Sequence, residues 1–276
     1  MADDLLPYAA FEGLLVDRPA PYVLRVTINN PDQMNALSPV VEHDLHHVWD
    51  VIEADRETRV TIITGAGRAF SAGGAFGSMP TDVTRDKNDQ FSHDFGNARR
   101  LVAALIGSTK PIISAINGPA VGAGLAIALL ADIPIAAKTA KLFDGHLRIG
   151  VVPGDHAAMV WPLLCGLAKS KYYLMTNDVL TGEEAERINL VALAVDAEEL
   201  QERALAVAVK LANTAPTALR MTKYVLNHAL RQNQTIFDLS AALEMVNFGS
   251  AENIEAMRAF AAKEAPTFTP ATEDFR

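Results

Sequence analysis

Three titratable side chains surround a Pro-Gly turn in the stretch GHLRIGVVPGDHAAMVWP, residues 145–162. Asp155 and His156 directly follow the turn, and His146 precedes Asp155 by nine positions. The flanking residues are mostly apolar, and a polar group in such surroundings needs a partner. Because imidazole titrates near neutral pH and a carboxylate can fix its tautomer, a His–Asp pair here could orient water and move a proton. The alternative is that Asp155 only caps the following helix, with His156 as its neighbour.

Two glycine-rich turns each follow a predicted strand: GAGRAFSAGGAF at residues 65–76 and NGPAVGAG at residues 117–124. Glycine lets backbone N–H groups approach a ligand closely, and a helix that begins there directs free N–H groups at it. Two such donors that converge on one point form an oxyanion hole. The alternative is that the glycines only permit tight strand-to-helix packing. Neither turn has the sequence of a P-loop or the full dinucleotide-binding fingerprint.

Other histidines are weaker candidates. Three of them lie on one predicted helix, at His43, His46 and His47. The i, i+4 spacing permits a metal ion, but no third ligand is evident, so we expect a solvated helix face and no metal site. His93 and Asp94 lie in the polar segment 80–94, a predicted loop from which they could reach a pocket.

The elements that must position these residues alternate between strand and helix in the first half of the chain. The patterns predict strands at residues 22–30, 60–65, 111–116, 133–138 and 189–195, and helices at 39–55, 95–108 and 122–131. Ser38 followed by Pro39 is typical of a helix start. Residues 197–263 have a helical pattern, with breaks near 215–216 and 250–251. Strands joined by helical crossovers indicate a largely parallel, buried sheet.

Composition excludes several classes of protein. The chain has 276 residues, half of them hydrophobic, and a formal net charge of −9, which argues against nucleic acid or an anionic membrane as the main partner. The one cysteine, Cys165, makes no intrachain disulfide. The N-terminus does not have the pattern of a signal peptide. The uncharged run 111–131 is interrupted by Asn117-Gly118-Pro119, so we interpret it as buried core and expect a cytoplasmic protein.

Three motifs together resemble the crotonase family, the enoyl-CoA hydratase/isomerase superfamily: GRAFSAGG, then KPIISAINGPAVGAGLAIALLADIPIAA, then GVVPGD. The resemblance covers nearly the whole chain and extends to the closing SAENIEAMRAFAAKEAPTF. It implies an α/β fold, a crotonase-like spiral of ββα units over residues 1–195, followed by a C-terminal helical trimerisation region over residues 196–276. It also implies a homotrimer or a hexamer built as a dimer of trimers.

The resemblance implies chemistry on an acyl-CoA thioester, with CoA as part of the substrate and no separate cofactor. The thioester oxygen of an enolate would lie between the backbone N–H groups of Gly74 and Ala123. The residues it implies for substrate and CoA binding are Arg68, Ala72, Gly73, Ala75, Gly122 and Gly124. Arg68 matches a position near the CoA phosphates, although a solvated loop arginine is an equal alternative.

The chain departs from this family's pattern at three positions. Ala126 and His146 occupy the places of the two glutamates of ordinary hydratases, and Ala75 stands where many relatives have aspartate. Water addition by two glutamates therefore cannot operate as in those enzymes. We expect Asp155 and His146 to be the catalytic residues instead.

A local resemblance links residues 144–162 to the 6-oxocamphor hydrolases, crotonase-fold enzymes that cleave a C–C bond in a β-diketone. Their His and Asp match His146 and Asp155, although this chain retains an intact second glycine turn. The leading prediction is hydration, or a related addition or cleavage, of an acyl-CoA. The alternatives are C–C hydrolysis of a β-dicarbonyl compound by His146 and Asp155, and a non-catalytic CoA-binding or RNA-binding role.

Overall fold

Two sheets form the centre of the protein in this computed structural model, which describes residues 3–75 and 95–268. The predicted loop 80–94, with His93 and Asp94, lies outside the described residues. The strands are β1 Leu14–Ala20, β2 Val23–Ile28, β3 Val60–Gly65, β4 Ile112–Ile116, β5 Ala120–Val121, β6 Ile133–Ala137, β7 Lys141–Phe143, β8 Leu180–Thr181 and β9 Leu193–Val195.

The larger sheet has the strand order β1-β2-β3-β4-β6-β9, and every neighbouring pair in it is parallel except β1 with β2. Every residue of β3 and β4 is buried, as expected for strands covered on both faces. The prediction of a largely parallel, buried sheet is confirmed. The smaller sheet, β5-β7-β8, was not predicted, because strands of two or three residues leave no readable alternation.

The helices predicted at residues 39–55, 95–108 and 122–131 begin and end close to the predicted positions, and the described helices are numbered α1 to α10. They are α1 Pro39–Ala54, α2 Gly96–Gly107, α3 Ala123–Leu130, α4 Ala157–Thr176, α5 Gly182–Arg187, α6 Leu200–Ala212, α7 Pro216–Leu226, α8 His228–Gln232, α9 Gln234–Asn247 and α10 Ala251–Ala262. Ser38 is the N-cap of α1, and its hydroxyl accepts a hydrogen bond from the Val41 N–H. Short 3-10 helices lie at Asp3–Tyr8, Pro31–Gln33, His146–Ile149 and Ala197–Glu199.

The mixed α/β architecture agrees with the predicted fold class. The uncharged run at 111–131 forms β4, β5 and α3, which are buried parts of the core. Among the described residues, none of the helices has the length and apolarity needed to span a lipid bilayer.

The C-terminal helices contribute to the core as well as to the surface. The first of them, α6, packs against β3, β4 and β6 of the larger sheet. Further along, α9 packs against α4, and α10 packs against the 3-10 helix His146–Ile149. The Asn253 side-chain amide on α10 donates to the Ile149 carbonyl at 2.7 Å. The C-terminal region therefore helps to position residues that follow β7. The predicted boundary between the spiral core and the helical region at residue 195 stays a prediction.

Candidate active site

A cavity of about 260 Å³ lies between α1, α2, the start of α3 and the C-terminal end of α9. Its walls are largely apolar and include Leu101, Val102, Leu130, Ile149, Met245 and Phe248. Polar and titratable groups are concentrated at one end, where the 3-10 helix His146–Ile149 approaches α9. An apolar pocket with a few convergent polar groups is the usual form of a small-molecule site.

The first glycine turn forms one wall of this cavity through Ala72, Gly73 and Gly74. The Leu37 N–H donates to the Gly73 carbonyl at 2.8 Å, and the Gly73 N–H donates to the Ser71 hydroxyl at 3.2 Å. Gly73 has φ +82°, and a Cβ there would lie 2.5 Å from the Val121 carbonyl oxygen. Glycine is thus required at position 73, because the turn passes against β5 in a left-handed conformation.

The second glycine turn lies directly beside the first, since a Cβ on Gly73 would be 3.6 Å from the Ala123 backbone nitrogen. Gly122 and Ala123 line it, and Ala123 is the first residue of α3, where a backbone N–H has no partner within the helix. Within the described part of the chain, the Gly74 and Ala123 N–H groups donate to no backbone or side-chain acceptor. Among the described residues, no acceptor therefore competes with a ligand oxygen for these two N–H groups.

Three of the predicted binding residues lie elsewhere. Arg68 is exposed, and neither its side chain nor Ala75 is among the described residues that line the cavity. Gly124 lies behind the wall, where a Cβ would be 2.6 Å from the Ser71 Cβ. This glycine serves the close packing of α3 on the first turn, which is the alternative considered for the glycine-rich turns.

His146 is at the centre of the titratable cluster, with its side chain 9% exposed. Its Nδ1 lies 2.8 Å from Asp144 Oδ1, and its Nε2 lies 3.3 Å from Glu244 Oε1 and 3.8 Å from Asp155 Oδ2. Burial alone would lower the pKa of His146, but the charges of the three surrounding carboxylates raise it well above its ordinary value. The surrounding carboxylates therefore favour the protonated form of the ring.

Asp155 projects one carboxylate oxygen toward His146. Its Oδ1 is 2.6 Å from His156 Nδ1, whereas its Oδ2 is buried and has no hydrogen-bond partner among the described residues. Burial raises the pKa of Asp155, but His156 and His146 outweigh it and lower that pKa to about 2. The N-cap of α4 is His156, without a side-chain cap, so Asp155 does not have the capping role considered as its alternative.

Glu244 completes the cluster and was not predicted from the sequence. It lies on α9 with its side chain 8% exposed, and it lines the cavity opposite Asp155. Burial raises the pKa of Glu244, and the positive charge of His146 offsets this only in part. A signal did exist: Glu244 shares the i, i+3, i+4, i+7 face of α9 with Phe237, Ser240 and Ala241, all of them buried.

Two further polar residues enter the cavity from α1, Glu42 and His46. The prediction of a solvated face is right for His43 and His47, which are exposed, but wrong for His46, which is 6% exposed. The helical repeat places His46 on the buried face of α1, together with Leu45 and Trp49.

A metal ion is a poor match for this cluster. Ligand atoms of Asp144, Asp155 and His156 lie within 4.8 Å of one another. However, the Trp161 indole N–H donates to His156 Nε2 at 3.2 Å, which requires a lone pair on Nε2 and leaves the ring proton on Nδ1. The Nδ1 that faces the carboxylates then has no lone pair for a metal.

Comparison with known proteins agrees with this architecture. The family model described as enoyl-CoA hydratase/isomerase matches residues 20–271. A probable enoyl-CoA hydratase of Mycobacterium tuberculosis is 32% identical over 260 residues, which cover 94% of this chain and 98% of that protein. The 1,2-epoxyphenylacetyl-CoA isomerase of Escherichia coli is 30% identical, covering 90% and 95%. The crystal structure of an enoyl-CoA hydratase from Mycobacterium avium subsp. paratuberculosis superposes with a TM-score of 0.83 at 27% identity, covering 93% and 98%.

Proposed function

Since this chain belongs to the enoyl-CoA hydratase/isomerase family, the crotonase superfamily, we propose that it is an enzyme that adds water to an acyl-CoA thioester. The observation that carries the proposal is the arrangement around His146. Asp155, with a lowered pKa, and Glu244, with a raised pKa, both face His146 Nε2 within the cavity that Gly74 and Ala123 line. Two carboxyl groups whose environments separate their pKa values are suited to act as base and acid.

The proposed acid–base pair replaces the two glutamates that this chain lacks. Ala126 brings only a methyl group to the cavity, at the position of one of them. Asp155 follows the Pro-Gly turn and Glu244 lies on α9, so the two carboxyl groups of the cavity come from different parts of the chain. The ionised Asp155, with Oδ2 unpartnered among the described residues, is the proposed general base, and Glu244 is the proposed general acid.

The reaction then proceeds by addition to an unsaturated thioester. Asp155 Oδ2 takes a proton from water as the water oxygen bonds to the β-carbon, and the π electrons move to the thioester oxygen. The N–H groups of Gly74 and Ala123 hold the resulting enolate oxygen; losing one such donor typically costs about 3 kcal/mol. Glu244 then gives its proton to the α-carbon, which completes the addition of one water molecule.

His146 is proposed to reset the two carboxyl groups. Its Nε2 lies 3.3 Å from Glu244 Oε1 and 3.8 Å from Asp155 Oδ2. It can pass its proton to the ionised Glu244 and take one from protonated Asp155, which restores both groups. Asp144 accepts from Nδ1 at 2.8 Å and keeps the ring oriented throughout.

A second reaction uses the same groups, namely hydrolysis of a C–C bond in a β-dicarbonyl compound, with or without CoA. The resemblance of His146 and Asp155 to the His and Asp of the 6-oxocamphor hydrolases favours it, whereas the N–H groups of Gly74 and Ala123 favour a thioester. In this reaction the activated water attacks a carbonyl carbon, and the enolate that leaves takes its proton from Glu244.

The proposed assembly is a homotrimer or a hexamer. The outer face of α9 carries four large apolar side chains that are 41–70% exposed, Ile236, Leu239, Leu243 and Val246, and α7 exposes Met221, Tyr224, Val225 and Leu226. Contiguous exposed apolar surface of this kind is typical of interfaces between subunits. We also propose a cytoplasmic location and no cofactor apart from the CoA of the substrate.

The test is a panel of substrates with the purified protein. Unsaturated acyl-CoA thioesters of increasing chain length are followed by loss of enoyl absorbance and by mass spectrometry for the gain of one water. Cyclic and linear β-diketones, free and as CoA thioesters, are tested in parallel. Turnover of free diketones alone would favour the second reaction, tight binding of CoA thioesters without turnover would favour a binding role, and no binding at millimolar concentration would refute the proposal.

A further inference from the structure

Three side chains form a buried hydrogen-bonded row behind the cavity. Trp161 and His156 are 1% and 0% exposed, and the Trp161 indole N–H donates to His156 Nε2 at 3.2 Å. His156 Nδ1 lies 2.6 Å from Asp155 Oδ1. The row therefore ends on the proposed general base, although His156 and Trp161 do not line the cavity among the described residues.

The direction of each hydrogen bond in this row follows from its first member. The indole N–H can only donate, so His156 Nε2 must accept. A neutral imidazole carries one proton, which must then be on Nδ1, and Nδ1 donates it to Asp155 Oδ1. Trp161 thus fixes the tautomer of His156 without touching Asp155.

We propose that His156 is a positioning residue, locked by Trp161 in its Nδ1–H tautomer, which keeps Asp155 ionised and holds its Oδ2 toward His146 beside the cavity. This inference rests on the proposed function for its effect on turnover, but not for the tautomer itself. The His156 hydrogen bond satisfies Oδ1, so only Oδ2 remains to receive a proton from water. A carboxylate that accepts a hydrogen bond from a fixed donor favours its charged form.

The charged groups around Asp155 come from three other parts of the fold. His146 faces it from the 3-10 helix, Glu244 lies on α9, and Asp144 lies beyond His146 at the end of β7. Two of these groups are acidic and disfavour a second negative charge nearby. Among the described residues, His156 Nδ1 is closer to the Asp155 carboxylate, at 2.6 Å, than His146 Nε2, at 3.8 Å, so we expect the loss of His156 to affect the ionisation of Asp155.

The kinetic test compares two substitutions of one residue. His156→Phe keeps a ring but removes the donor, and His156→Asn keeps an N–H near the Nδ1 position. We expect His156→Phe to lower kcat by about 10- to 100-fold with little change in KM, as expected when a hydrogen bond to a charged group is lost. The acid limb of kcat/KM should also move to higher pH, since Asp155 loses a bond that favours ionisation. His156→Asn should recover most of the rate and return the limb toward its original position.

A second measurement does not depend on turnover, and it reads the tautomer in the wild-type protein. The protein with ¹⁵N-labelled histidine gives imidazole signals for seven histidines, and two-bond ¹H–¹⁵N correlation distinguishes the Nδ1–H from the Nε2–H tautomer. Two signals should be missing in His156→Asn relative to the wild type, which assigns the ring. We expect a pure Nδ1–H tautomer in the wild type and a mixture in Trp161→Phe.

Each outcome bears on the inference. An Nε2–H tautomer or an imidazolium at His156 in the wild type would overturn it, whatever the activity proves to be. A folded His156→Phe protein with an unchanged acid limb would also overturn it, because a purely structural role predicts that result. The expected tautomer in a protein that processes no acyl-CoA would support the locked His156 and refute the proposed function instead.

Discussion

Replacing Glu244 by glutamine separates its chemical role from its structural role. Glutamine has nearly the same shape, so the contact with Gly154, where a Cβ would lie 2.5 Å from the Glu244 Cβ, is retained. The substitution removes only the proton that the carboxylic acid donates. General acid catalysis contributes about 100- to 10,000-fold, which corresponds to roughly 3 to 5 kcal/mol of barrier. We expect kcat to fall by that factor, with a smaller change in KM.

The same substitution should not destabilise the protein at alkaline pH. The pKa of Glu244 is raised from its ordinary value of 4.5 because the group is buried. The folded state therefore holds a proton that the unfolded state has released, and the free energy of unfolding falls as the pH rises from 4.5 through the raised pKa. Glutamine does not titrate, so Glu244→Gln should gain stability relative to the wild type between acidic and alkaline pH.

Urea denaturation at a series of pH values gives the stability difference, and steady-state kinetics with an unsaturated acyl-CoA gives kcat. Asp238→Asn is a matched control, because Asp238 lies on α9 and is not among the described lining residues. That variant should retain kcat within about threefold, as surface substitutions usually have small effects. A Glu244→Gln enzyme with near-normal kcat, or one that loses stability with rising pH relative to the wild type, would refute the acid assignment.

Asp155→Asn should reduce kcat by about 100- to 10,000-fold, because asparagine cannot accept the proton of water; near-normal turnover would contradict its role as base. His146→Gln should flatten the pH dependence of stability. The raised pKa of His146 stabilises the fold below pH 6.5, and this contribution is lost as the pH rises through the folded-state pKa. The free energies of unfolding of the two proteins, measured by urea denaturation, should therefore differ less at high pH. Light scattering should give the mass of a trimer or hexamer, and Leu239→Glu with Leu243→Glu should dissociate it; a wild-type monomer at micromolar concentration would argue against assembly. Gly73→Ala should abolish acyl-CoA binding measured by calorimetry, since its Cβ would meet the Val121 carbonyl at 2.5 Å and displace the turn, whereas Gly107→Ala, which meets nothing within 4 Å, should bind normally.

Long periodic segments were predicted well, because their pattern follows from burial on one or both faces. The strand β3, residues 60–65, and the helix α1 with its Ser38 cap agree with the sequence prediction to within a residue. The strand β1 was missed because Asp17, Arg18 and Pro19 interrupt its apolar pattern. A strand of this composition is tolerated at the sheet edge, where β1 pairs on one side only.

The sequence predicted only those site residues that lie close together along the chain. His146 and Asp155 belong to one short stretch around a Pro-Gly turn, and the two glycine turns can be recognised by their glycine content. Glu244 is 89 positions beyond Asp155 on a helix, α9, that also carries Asp238 and several uncharged polar residues. The spacing of Glu244 from Phe237, Ser240 and Ala241 could have placed it on the inner face of α9, but nothing in the sequence shows that this face packs against Gly154. His46 was misjudged for the related reason that three nearby histidines conceal which helix face is inward.

The two faces of α9 would link the proposed general acid to the proposed assembly. Its inner face, with Phe237, Ser240 and Glu244, packs against Gly154 and the cavity, where the Ser240 hydroxyl donates to the Gly154 carbonyl at 3.1 Å. Its outer face presents exposed apolar side chains that a second subunit would bury. Burying the Glu244 carboxyl group on the inner face costs free energy, which weakens the packing of α9 in an isolated subunit. Burial of the outer face in the proposed assembly would offset that cost. Because the proposed acid, Glu244, lies on α9 and not in the spiral core, its position would then depend on the C-terminal region.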